Sequence, residues 1–196
     1  MKSKRLNSGI AFLSTLFFSL AAYAHDGDHS GGGGSGSVAA GLDEFPNLHP
    51  LVVHFAIVLI LVGAVLQLAN VYFMKREVSW IAFVTTAVGF VAAYLAAGPY
   101  HPHAHELSEH AKQVLDQHDQ WADWTLWLGG VGAALQGLNL FFLTDKRWAL
   151  GLVAAVLLGA GYAVSQAGHF GSQLVYIEGV GPQGQYLEPE GDGHNH

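Results

Sequence analysis

The chain has 196 residues, 51% hydrophobic and only 12% charged, against roughly 25% charged residues in a soluble domain, which points away from an ordinary globule and towards a membrane protein. It has no cysteine, which excludes disulfides, thiolate zinc sites, iron–sulfur clusters and covalent c-type haem attachment. A formal charge of −7 argues against nucleic acid as a partner, because that needs basic surface.

In chain order, Lys2, Lys4 and Arg5 precede the apolar run from Ile10 to Leu20, and Ala22-Tyr23-Ala24 follows as a small-x-small cleavage site. Residues 1–24 therefore read as a cleavable secretory signal peptide. Residues 25–48, with His25, His29 and a Gly/Ser run, read as a flexible linker. Four stretches free of formal charge come next: Leu51–Met74, Val78–Tyr100, Trp124–Thr144 and Trp148–Ile177. Each supplies the roughly 20 apolar residues that a spanning helix needs. The expected fold is all-α, a four-helix transmembrane bundle over 49–177. Its helices are expected at about 51–73, 79–98, 122–143 and 148–169, with an outer amphipathic helical segment before the third. Residues 178–196 read as a flexible tail ending His194-Asn195-His196.

The short loops with Lys75/Arg76 and Lys146/Arg147 hold the basic residues; after the signal only Lys112 lies elsewhere. The positive-inside rule puts both loops in the cytoplasm and both mature termini on the periplasmic side of a bacterial inner membrane. Trp121, Trp124 and Trp127 then mark one interface, and Trp80 and Trp148 the other. All 12 histidines fall on or near the outer side, with every acidic residue except Glu77 and Asp145. Imidazole and carboxylate bind borderline metals, and imidazole also binds haem iron.

Helical spacing suggests which faces turn inward. On the third helix, His118, Ala122, Thr125, Gly129, Gly132, Gln136 and Asn139 form a small or polar stripe, which in a membrane faces protein. On the second, Ala82, Thr86, Gly89, Ala93 and Ala96 do the same. On the fourth, Gly151, Ala155, Leu158, Tyr162, Ser165 and His169 share a face and are expected to point inward. On the first, His49 falls near Gly63, Gln67 and Asn70, with His54 almost opposite. His54 is expected to face protein, since an imidazole turned to lipid is costly. Gln67, Asn70, Gln136 and Asn139 read as interhelical hydrogen-bond glue, with a quinone contact as the sharper alternative.

Leu48-His49-Pro50-Leu51-Val52-Val53-His54-Phe55 resembles the opening motif of a bacterial membrane-protein family known as domain of unknown function 2231. The likeness extends to four helices, to His118 before the third, and to the closing run Gly168-His169-Phe170-Gly171-Ser172-Gln173-Leu174-Val175-Tyr176-Ile177-Glu178-Gly179-Val180-Gly181. It covers about 47–182. Ala56 and Ser172 depart from the family pattern, which often has Pro and Gly there. The resemblance implies the fold and a membrane location; some relatives look fused to cytochrome c domains, which implies redox company.

The leading expectation is a haem b or redox-metal membrane subunit for electron transfer, with His54, His118 and His169 as cofactor ligands at the outer end. Cytochrome c-type or quinol redox partners would follow, and a homodimer is a further expectation. The alternative is a periplasmic-face copper or zinc protein using His49, His101, His103, His105 and His110. A cofactor-free structural subunit is the third reading. Enzyme activity is least expected: there is no phosphate loop and no metalloprotease motif, and His101-x-x-x-His105 has no Glu between its histidines.

Overall fold

The computed structural model describes residues 47–102, 104, 107–143 and 146–180. The expected signal peptide, most of the linker, the distal tail, and His103 and His105 lie outside the described residues. Four helices make up the bundle: α1 (His49–Phe73), α2 (Arg76–Ala97), α3 (Glu109–Leu138) and α4 (Arg147–Tyr176). Each is long and apolar enough to cross a membrane.

Local chemistry sets the boundaries. Pro50 stands in the first turn of α1, where its missing N–H costs nothing. At the other end Met74 adopts a left-handed conformation and its N–H bonds to Asn70 O at 2.9 Å. Lys75 N donates to Asn70 Oδ1, also at 2.9 Å, so one buried side chain shapes the turn from α1 into α2. Ser108 caps α3 by accepting from Ala111 N at 3.1 Å, the usual way a hydroxyl satisfies a first-turn donor. Thus α3 starts about four turns before its apolar stretch and carries His118 on continuous helix. A π-helical turn, Asn139–Leu143, closes it. The fourth helix runs on to Tyr176, well past the expected end near 169.

Packing joins α1 to α2 and α4, and α3 to the same two helices. Between them lie Ala56, Ile60, Ala92, Ala93, Ala160 and Val164, with Ala64, Val153 and Leu157 as a second cluster. These residues are mostly small. In lipid, helices gain nothing from hiding apolar surface from water, so close approach and dispersion must hold them together. Gly132 makes the hollow into which the Leu157 side chain fits. Large apolar side chains such as Phe55, Val65, Val88, Trp127 and Leu152 instead clad the outside.

The expected inward stripes of α2 and of the spanning part of α3 are buried: Ala82, Thr86, Gly89, Ala93 and Ala96, then Thr125, Gly129, Gly132, Gln136 and Asn139. Gln67 Nε2 donates to Leu150 O, and Gln136 Nε2 to Gln67 Oε1, both at 3.0 Å. Asn70 Nδ2 donates to Ser79 Oγ at 2.6 Å. These amides are hydrogen-bonded between helices.

The expectation for α4 needs correction. Its buried face is Leu150, Val153, Ala154, Leu157, Ala160, Gly161, Val164 and Ala167. Ala155, Leu158, Tyr162, Ser165 and His169 are exposed. Ser165 Oγ donates to Gly161 O at 2.8 Å, Ser172 Oγ to Gly168 O at 2.9 Å, and Gln166 Nε2 to Tyr162 Oη at 2.7 Å. The polar stripe satisfies itself within its own helix, so nothing forces it inward. The expectation that His54 faces protein is corrected for the same reason: His54 is exposed and its Nδ1 bonds to Pro50 O one turn back.

Candidate metal centre

Three histidines gather at the end of the bundle where α1 begins. His49, the first residue of α1, has its N–H held by Asn47 Oδ1 at 2.6 Å. Its Nδ1–H donates to Ala96 O, at the end of α2, at 3.0 Å. His101 follows the turn after α2, fixed by Tyr100 N to Leu95 O at 3.0 Å and His101 N to Gly98 O at 3.1 Å. His118 lies on α3, and its Nδ1–H donates to Ala167 O of α4 at 2.9 Å. The His49 ring centre is 6.0 Å from that of His101 and 6.5 Å from that of His118.

A carbonyl oxygen can only accept, so each Nδ1 bond fixes the tautomer with the proton on Nδ1. The Nε2 lone pairs of His49 and His118 are thereby kept for another partner. Metal-binding imidazoles are oriented in this way by backbone carbonyls. Gly171 completes the cradle: a Cβ there would stand 3.2 Å from His118 Cε1 and 3.3 Å from Nδ1. The ring therefore lies over a glycine, where a side chain would push it aside.

Asp119 adds an anion. Its Oδ1 lies 3.4 Å from His101 Nε2. That oxygen is shielded from solvent and, beyond this contact with His101, accepts no hydrogen bond among the described residues, while the rest of the Asp119 side chain is about half exposed. A carboxylate oxygen shielded in this way is favoured where a cation meets it. One donor atom each from His101, His118 and Asp119 lies within 4.8 Å of the other two. Metal bonds of about 2.0–2.2 Å put adjacent ligand atoms roughly 3.0–3.5 Å apart, so from separations of at most 4.8 Å a contraction of up to about 1.3–1.8 Å would close the set on an ion.

The site gathers some expected ligands and not others. His118 and His101 belong to it, and His49 stands against both. His54 and His169 are exposed on α1 and α4 and are not in this group. His110 is exposed too, with Nδ1 2.9 Å from Glu178 Oε1. Sequence reasoning missed Asp119 and Gly171. Asp119 adjoins His118 but lies one residue off the inward stripe. Gly171 stands in the closing motif, where His169 drew the attention.

Searches among family models, curated proteins and solved structures found no match to this chain.

Proposed function

We propose that this is a multi-pass inner-membrane protein that binds one divalent transition-metal ion, copper(II) or zinc, at its periplasmic face. His101, His118 and Asp119 are its ligands, and His49 packs against the two imidazoles. The observation that carries this reading is the Asp119 carboxylate, whose shielded oxygen faces His101 Nε2 at 3.4 Å and, with His118, completes a set of donor atoms within 4.8 Å of one another. Two imidazoles and a carboxylate suit copper(II), zinc or nickel, whereas copper(I) prefers sulfur; the chain has no cysteine and only Met1 and Met74. The periplasmic placement rests on Lys75, Arg76, Lys146 and Arg147 at the opposite end. The signal-like segment 1–24 and the resemblance to domain of unknown function 2231 agree with it.

The same geometry favours an ion over haem b. Axial haem ligation needs two opposed imidazoles with a macrocycle between them. Here a carboxylate shares the space between His101 and His118, and the other two haem candidates, His54 and His169, face outward.

The test is metal analysis with titration of zinc and of copper(II) into the chelator-treated protein. One ion per chain is expected, with His118→Ala and Asp119→Asn each losing it and His169→Ala retaining it. A protein that carries haem, or that binds metal equally in all three variants, overturns the reading.

A further inference from the structure

The other end of the bundle holds a second constellation. Lys75 and Arg76 begin α2, and Lys146 and Arg147 begin α4. The acids in sequence around them are Glu77 and Asp145, so the end is net positive. Arg76 is placed with care. One terminal nitrogen donates to Leu140 O at 3.0 Å, a carbonyl in the π-helical turn of α3. That bond draws the guanidinium to the groove between α2 and α3. A guanidinium has five N–H donors, and this bond uses one.

One turn deeper on α2, Trp80 packs edge-on against Phe141, with ring centres 5.5 Å apart at 84°. It also meets Phe83 at 6.1 Å. Both Trp80 and Phe141 are exposed. A cation with donors beyond this bond thus stands between α2 and α3 beside an exposed indole and an exposed phenyl ring. This neighbourhood matches the parts of a phospholipid: phosphate at the cation, glycerol at the amphipathic indole, acyl chains along the rings.

We propose that Arg76, Lys75, Trp80 and Phe141 form a site for one acidic phospholipid. Its phosphate sits on Arg76 and its chains lie along the groove between α2 and α3. The net positive charge selects the acidic headgroup. A choline or ethanolamine headgroup would bring its own cation to this cluster and gain nothing from it.

The test is native mass spectrometry of the full chain released from detergent, titrated with phosphatidylglycerol and, separately, with phosphatidylcholine. Phosphatidylglycerol adducts should dominate. Arg76→Gln should weaken them about fivefold, the effect of one basic residue near an anionic lipid surface. Trp80→Leu leaves every charge in place and should weaken them as well, which keeps the test decisive if Arg76→Gln fails to fold. Arg147→Gln should leave them unchanged. Equal losses in Arg76→Gln and Arg147→Gln would mean diffuse attraction and overturn the site. So would equal binding of the two lipids, or displacement of phosphatidylglycerol by inorganic phosphate alone.

Discussion

Gly89 is where α2 touches the backbone of α1, and substituting it tests the packing directly. A Cβ there would lie 3.0 Å from Ile60 N, 3.0 Å from Leu59 Cβ and 3.1 Å from Ile60 Cγ1. Ordinary contact is about 3.5–4.0 Å, so Gly89→Ala must move α1 away by roughly half an ångström or more. Ile60 is fully buried at the middle of the core, and main-chain atoms of a packed helix cannot rotate aside. Overpacking of this kind costs about 1–3 kcal/mol. The better helix propensity of alanine returns up to about 1 kcal/mol. The net loss should be about 1 kcal/mol for Gly89→Ala, and more for Gly89→Val, whose branches add to the same clash. The control is Gly151, where an added Cβ meets nothing within 4 Å; Gly151→Ala should be neutral or slightly stabilising. The assay is reversible unfolding in mixed micelles followed by far-ultraviolet circular dichroism. If Gly89→Ala and Gly151→Ala unfold alike, the close crossing of α1 and α2 is refuted.

Gly171→Ala should leave the fold intact and lower metal affinity about 10–100-fold, the usual effect of disturbing a ligand's support; calorimetric titration with zinc checks it. Gln67→Leu should cost more than Gln136→Leu, because Gln67 makes two interhelical bonds and Gln136 one. At about 0.6 kcal/mol per bond within a membrane, the difference is readable in the same unfolding assay. Ser108→Ala removes the cap of α3 and should cost about 1 kcal/mol, seen as faster amide exchange in the first turn of α3.

The helices and two of the inward faces were legible because they rest on strong signals. Charge-free stretches of spanning length define α1 to α4, and Gly89 or Gly132 can lie only where another helix comes close. The fourth helix misled because its polarity was taken as a sign of burial. Ser165, Ser172 and Gln166 meet their needs within α4, so polarity said nothing about direction there. The apolar Val153, Leu157 and Val164 define its packed face instead. His54 misled in the same way, through its bond to Pro50 O. The candidate metal centre was legible in part. His49, His101 and His118 were named, but spacing along one helix could not bring the turn after α2 onto α3. Asp119 gains its meaning only from His101, 18 positions earlier in the chain.

X-ray absorption at the zinc or copper edge of the metal-loaded protein tests the central claim most directly. The account predicts nitrogen and oxygen ligands at about 2.0–2.2 Å with outer-shell scattering from imidazoles. That scattering should fall by one imidazole in whatever metal His118→Ala retains, and be unchanged in His169→Ala. A metal surrounded by oxygen alone, or scattering that drops in His169→Ala and not in His118→Ala, would contradict it.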